Sequence, residues 1–249
     1  MLINIDGVSC KGHSGETLME VARRNKINIP SLCYKKGFEG LGRCRLCLVQ
    51  VDEGKRKKIV SACVYPIKDG IEVKTSTDEI IKMRKDIVLL LLLRSPENSY
   101  IRELADEYGV KAPERYIDIS KHDDCILCGL CVEACQRLGT NAISFVERGI
   151  TKKVSTPFDD PSKDCIGCGS CVEVCPTNAI SLTEANGIRT IWNRSFDLVQ
   201  CTICGKYYTT VESLKYVEEI LDDKEDHICD SCKRKAMGTK FKESFQNVY

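Results

Sequence analysis

The sequence predicts an α+β chain made of several small modules rather than one large core. Three observations carry this. Cysteine supplies 17 of 249 residues, and most sit in short C-x2-C pairs. Such pairs suit metal binding in a reducing compartment better than a disulfide framework. Aromatic residues make up only 6% of the chain, which favours small modules stapled by metal. Short alternating runs that read as strands are interspersed with short runs of helical period.

Residues 1–80 read as a β-rich domain. Leu2-Ile3-Asn4-Ile5 is a strand entering a turn at Asp6-Gly7, and Val8 to Gly15 returns as its hairpin partner. Thr17 to Asn25 places Leu18, Val21 and Ala22 on one helical face with Thr17 as cap, and Ile29-Pro30 ends the helical region. Val49 to Val51 and Ile71 to Val73 supply further strands. Among them lie Cys33, Cys44, Cys47 and Cys63, spaced C-x10-C-x2-C-x15-C, with Gly37, Gly40 and Gly42 in the first loop. A long glycine-containing loop closed by C-x2-C, with a distant fourth ligand, fits a planar [2Fe-2S] cluster and is related to the plant-type spacing. Zinc is the competing reading, weakened because zinc sites usually pair two short knuckles. Cys10 lies outside the pattern and reads as a buried strand residue.

Residues 81–120 read as a helical linker. A helix runs from about Asp78 to Leu93, and Ile101 to Tyr108 is a second, shorter one. The most apolar segment, Ile87 to Leu93, is flanked by Arg84-Lys85-Asp86 and Arg94 and is too short to span a bilayer. The opening residues lack a signal-peptide pattern, so the expectation is a soluble cytoplasmic protein. Lys111 to Asp123 leads into the next module, and His122 there reads as a solvated histidine rather than a cluster ligand.

Residues 121–188 carry two runs of C-x2-C-x2-C-x3-C, the spacing of proteins that hold two [4Fe-4S] clusters. Three cysteines of a run wrap one cubane and the fourth ligates the other. This assigns Cys125, Cys128, Cys131 and Cys175 to the first cluster, and Cys135, Cys165, Cys168 and Cys171 to the second. Gly129, Gly167, Gly169 and Ser170 leave room for backbone amides to approach sulfur. Asn141-Ala142-Ile143-Ser144 repeats as Asn178-Ala179-Ile180-Ser181, so the module reads as pseudo-symmetric. Ala142 to Val146 and Ile150 to Thr156 read as a hairpin around Arg148-Gly149. Gln136 stands where a proline usually follows the fourth cysteine, yet all four ligands remain.

Residues 189–249 carry Cys201-x2-Cys204 and Cys229-x2-Cys232, separated by 24 residues, which fits a four-cysteine zinc ribbon. A further iron–sulfur cluster is the alternative. Val211 to Leu221 reads as an amphipathic helix with Leu214, Val217 and Leu221 on one side. Lys233-Arg234-Lys235, Lys240 and Lys242 form a basic tail, expected to be solvated or partly disordered, with docking on an acidic partner as the alternative. Trp192 is expected to pack at a domain junction.

Several words of the chain are similar to one family. Ile5-Asp6-Gly7, Gly15-Glu-Thr-Leu-Met-Glu-Val-Ala-Arg23, Ile29-Pro30-Ser-Leu-Cys33-Tyr34 and Gly42-Arg43-Cys44-Arg45-Leu46-Cys47-Leu48-Val49 resemble the β-grasp [2Fe-2S] domain of the complex I large iron–sulfur subunit. The same domain opens [FeFe]-hydrogenases and the small diaphorase subunits of NAD-linked hydrogenases. Cys125-Ile-Leu-Cys128-Gly-Leu-Cys131-Val and Phe145-Val-Glu-Arg-Gly149 resemble that family's ferredoxin domain, so the resemblance covers roughly residues 1–185. Relatives commonly carry an intermediate [4Fe-4S] site held by one histidine and three cysteines, beginning at a His-Pro word. Here the word is Arg94-Ser95-Pro96, and no cysteine occurs between Cys63 and Cys125. That centre is expected to be absent, which requires the two cluster domains to pack closely or be bridged by another chain.

These features point to electron transfer with no catalytic site in this chain. A Gly-rich dinucleotide fingerprint after a strand is missing, so neither flavin nor NAD(P) is expected to bind here. The resemblance implies a subunit of a cytoplasmic NAD(P)-linked hetero-oligomer. It would pass single electrons between a flavin- and NAD(P)-binding subunit and a ferredoxin or hydrogenase partner, in electron bifurcation. The alternative within the class is a free multi-cluster ferredoxin. A redox-sensing nucleic-acid-binding module is disfavoured by a net charge of +1.

Overall fold

The computed structural model describes residues 1–54, 56–113, 115, 124–222 and 226–246, with side chains through residue 239. The readings of His122 and of the Lys240 and Lys242 side chains lie outside the described residues.

The N-terminal part is a five-stranded sheet of β1 (Leu2–Ile5), β2 (Val8–Lys11), β3 (Leu48–Asp52), β4 (Lys57–Ser61) and β5 (Glu72–Lys74), ordered β2-β1-β5-β3-β4. β1 and β5 are parallel, and the other pairs are antiparallel. Helix α1 (Leu18–Arg24) starts at a capping box in which Thr17 and Glu20 satisfy each other's backbone amides. Its Leu18, Val21 and Ala22 pack with Ile3, Ile5, Val49, Val51 and Val73. Cys10 is buried in this core. Strand β4 was not among the expected strands, because Lys57-Lys58 hides its alternation, yet it pairs with β3 along its whole length.

Two helices follow, α2 (Asp78–Arg94) and α3 (Ser99–Tyr108), capped by Thr77 and Asn98. They are the mortar between modules. Val88, Ile101 and Ala105 are buried together with Leu32, Cys33 and Leu46 of the first module and Ile126, Cys128 and Leu130 of the next.

The second module contains α4 (Leu130–Arg137), α5 (Ser170–Glu173) and a short hairpin of β6 (Ser144–Val146) and β7 (Lys153–Ser155). The hairpin is shorter than expected because Gly149–Thr151 form a single 3-10 turn instead of continuing as strand. A third sheet, β8 (Leu182–Ala185), β9 (Ile188–Ile191), β10 (Arg194–Gln200) and β11 (Tyr207–Thr210), is antiparallel throughout. It runs across position 188, the expected boundary, and is separate from the β6–β7 hairpin.

Helix α6 (Val211–Leu221) has the expected bounds, but none of its residues is fully buried, and Val217 and Leu221 are exposed. Helix α7 (Asp230–Gln246) occupies the tail that was expected to be a solvated or partly disordered end. Its start at Asp230 coincides with the Cys229-x2-Cys232 knuckle, which gives the helix a fixed origin. Among the described residues no helix is long and apolar enough to cross a membrane.

Candidate metal centres

Cys33, Cys44, Cys47 and Cys63 converge at the edge of the first sheet nearest the linker helices. Cys33, Cys47 and Cys63 are buried and Cys44 is half-buried. The Cys33 thiol accepts from the Cys44 amide and the Cys44 thiol from the Leu32 amide, both at 3.3 Å; the Cys47 and Cys63 sulfurs lie 3.4 Å apart. Hydrogen bonds with the Cys44 and Cys63 thiols, together with the loop amides of Cys44 and Arg43, hold Cys33 well below the usual thiol range. The loop passes so close to Cys63 that a Cβ at Gly40 would sit 1.8 Å from the Cys63 carbonyl oxygen. Only glycine fits there.

In the second module, cysteines of the two runs lie beside one another. Coulombic repulsion reaches Cys128 from Cys175 and Cys125, and reaches Cys165 from Cys168 and Cys135. Cys135, Cys165, Cys168 and Cys171 line one small cavity of about 20 Å³ together with Ile191 and Trp192. Burial pushes the Cys128 and Cys171 thiols up to about 11 and raises Cys131 as well. Neutral thiols this buried await a cation that reverses the preference.

Amide-to-sulfur bonds repeat across the two runs. The Ala142 amide donates to Cys135 at 3.2 Å and the Ala179 amide to Cys175 at 3.3 Å. Both follow an asparagine in left-handed backbone, Asn141 (φ 50°) and Asn178 (φ 52°). Gly129 and Gly169 start α4 and α5 with nearly identical left-handed angles.

The first and second modules meet at their cysteines. Cys33 and half-buried Cys44 pack in the same apolar cluster as Cys128, and the Cys33 thiol is close enough to act electrostatically on Cys128. Around this contact Arg43 stacks on Phe145 at 4.4 Å, Lys35 donates to the Glu173 carbonyl at 2.7 Å, and Arg137 donates to the Gly37 carbonyl at 2.5 Å.

The third group is tighter. The sulfurs of Cys201, Cys204, Cys229 and Cys232 all lie within 4.8 Å of one another, and Cys204 and Cys229 are 3.7 Å apart. A single ion with metal–sulfur bonds near 2.3 Å has tetrahedral sulfur–sulfur edges of about 3.8 Å, so these residues could hold one ion. Amides of Cys229, Cys204 and Ile203 bring Cys201 down to about 6, while burial and its thiol neighbours push Cys232 up to about 12.

Three residues that sequence reasoning passed over shape these sites. Arg84 is buried and donates to the carbonyls of Leu46, Leu48 and Thr75 beside Cys47. Arg94, the residue at the missing His-Pro word, donates to the Cys125 carbonyl at 2.7 Å and the Lys152 carbonyl at 3.3 Å. Asn98 caps α3 and donates to Asp124 and to the Thr177 carbonyl. The charge flanking α2 was visible in the sequence; its direction was not.

Comparison with known proteins fits this geometry. Residues 2–78 match the 2Fe-2S iron-sulfur cluster binding domain, residues 119–182 a 4Fe-4S dicluster domain, and residues 164–206 a second model of that description. The chain is 30% identical over 188 residues to NADP-reducing hydrogenase subunit HndD of Solidesulfovibrio fructosivorans, covering 64% of this chain and 32% of that protein. It is 29% identical over 153 residues to NAD-reducing hydrogenase HoxS subunit gamma of Cupriavidus necator, covering 53% and 64%. A crystal structure of NAD+-reducing [NiFe]-hydrogenase in the H2-reduced state aligns with a TM-score of 0.53 at 26% identity, over 62% of this chain and 74% of that one. The chain thus spans less than two thirds of the length of either curated relative.

Proposed function

Starting from a chain related to the iron–sulfur subunits of NAD(P)-linked hydrogenases and oxidoreductases, we propose that it carries single electrons within such a complex. Cys33, Cys44, Cys47 and Cys63 would hold a [2Fe-2S] cluster on a β-grasp sheet. Cys125, Cys128, Cys131 and Cys175 would hold one [4Fe-4S] cluster, and Cys135, Cys165, Cys168 and Cys171 the other. Bound there, such clusters supply reversible one-electron chemistry.

The observation that carries this reading is the shared burial of Cys33 and Cys128. With Arg94 tied to the Cys125 carbonyl in place of a histidine ligand, the linker brings the two cluster domains together directly. The chain's own residues supply thiolates, aim amides at sulfur and exclude water with Leu32, Leu46, Val88 and Ile126.

Cys201, Cys204, Cys229 and Cys232 would hold Zn2+ as a structural ribbon. Their sulfur spacing supports a single ion over a cubane, whose ligands stand farther apart. By analogy the first module would face a flavin- and NAD(P)-binding subunit and the second a ferredoxin or hydrogenase subunit, with bifurcation as the complex's use of the chain.

Oxygen-free isolation of the native protein at low salt, with mass spectrometry and flavin analysis, tests this. A stable companion flavoprotein and bleaching of the clusters by NADH or NADPH are expected. A flavin-free monomer reduced only by ferredoxin would make it a soluble carrier instead.

A further inference from the structure

The turn between β9 and β10 is two residues long, Trp192 and Asn193, at φ 51° and 58°. Hairpins of this kind favour asparagine and glycine, which enter left-handed backbone at little cost. Asn193 conforms. Trp192 does not, and a bulky side chain kept in that region marks a place where the surroundings require it. The indole lines the cavity formed by Cys135, Cys165, Cys168 and Cys171. Its Nε1–H is buried with no hydrogen-bond partner, and the ring packs against the apolar cluster that contains buried Cys171.

The hairpin that presents this ring is bolted to the second cysteine run. Arg194 donates to the carbonyls of Ser162, Lys163 and Cys165 at 2.7–2.9 Å, and Arg189 donates to that of Gly167 at 2.7 Å. Phe196 lies on Gly167, where a Cβ would come within 2.7 Å of its ring. These contacts leave the indole little freedom to turn away.

We propose that Trp192 is a positioning residue for the cluster held by Cys135, Cys165, Cys168 and Cys171, donating its indole N–H to one of the ligating sulfurs when the cluster is bound and covering that side of it against water. The proposal rests on the cluster assignment above. A hydrogen bond to a ligating sulfur withdraws electron density and favours the reduced cluster, which raises its potential. It also accounts for a buried donor that otherwise lacks an acceptor.

Trp192 is the sole tryptophan, so 15N-indole labelling places one reporter in the full holoprotein. Pulsed EPR of the reduced protein, with iron and sulfide for both cubanes verified, should show 15N coupling to one of them. W192F, which keeps a ring and loses the donor, should shift that cubane's midpoint potential to more negative values and leave the other clusters in place. No 15N coupling in a protein with both cubanes overturns the proposal even where W192F fails to fold. So does an unmoved potential in W192F with full cluster content. A wild-type protein that binds fewer than two cubanes overturns the underlying assignment instead.

Discussion

Two charged residues, one in the linker and one in the first module, act in opposite settings. Arg84 is buried with three carbonyl acceptors and no carboxylate ion pair among the described residues, and desolvation lowers its pKa. We expect R84M to destabilise the first module by about 2–4 kcal/mol, because three buried carbonyls lose their donor. Removing a buried positive charge beside Cys47 should also move the [2Fe-2S] potential to more negative values, read by EPR titration beside urea melts; R84K should restore most of the potential but not the stability. Glu16 is the half-buried counterpart. The Arg24 guanidinium, with help from the His13 amide, holds it down to about 2. A carboxylate whose folded pKa is depressed stabilises the fold above its unfolded pKa of about 4.3, and the gain fades as pH falls through about 2. The stability difference between wild type and E16Q should therefore be level above about pH 5 and shrink below pH 4 in urea titrations. Neither partnership was legible in the sequence, because each depends on where a long side chain turns.

At the scale of elements, α1, α2, α3 and α6 lie within a residue or two of their expected bounds. Their legibility has a physical basis: each begins at a side-chain cap. Strand β4 and helix α7 were not legible. One is masked by surface lysines, and the other draws its order from the knuckle at its start rather than from an apolar stripe. The four-cysteine group and the hairpin β9–β10 are held by different contacts, so they should come apart separately. C229S should abolish zinc in elemental analysis and lower helical signal from α7. Because Arg194, Arg189 and Phe196 anchor the hairpin without the ion, iron and sulfide content should stay at the wild-type level. Loss of iron together with zinc would show that the ribbon and the second module fold as one unit.

At the scale of the whole molecule, the linker decides how electrons cross. Resemblance alone suggested that losing the histidine-ligated centre demands close packing, and the two modules do share a buried cluster. The geometry of that junction could not be foreseen from spacing, since it depends on Val88, Ile101 and Ala105 each serving two modules. V88A should cost about 2 kcal/mol and loosen the junction, so freeze-quench EPR should find the cubanes reduced later than the [2Fe-2S] centre by a wider interval than in wild type. An unchanged interval would mean that the route between them does not run through this contact. The proposed exchange of Cys135 and Cys175 between the two runs would have a further consequence, for biogenesis. A growing chain that has exposed only the first run owns three of its four partners, and the last does not emerge until residue 175. Neither site of the pair has its four ligands during synthesis of the first run, so both cages are completed only once the second run has emerged.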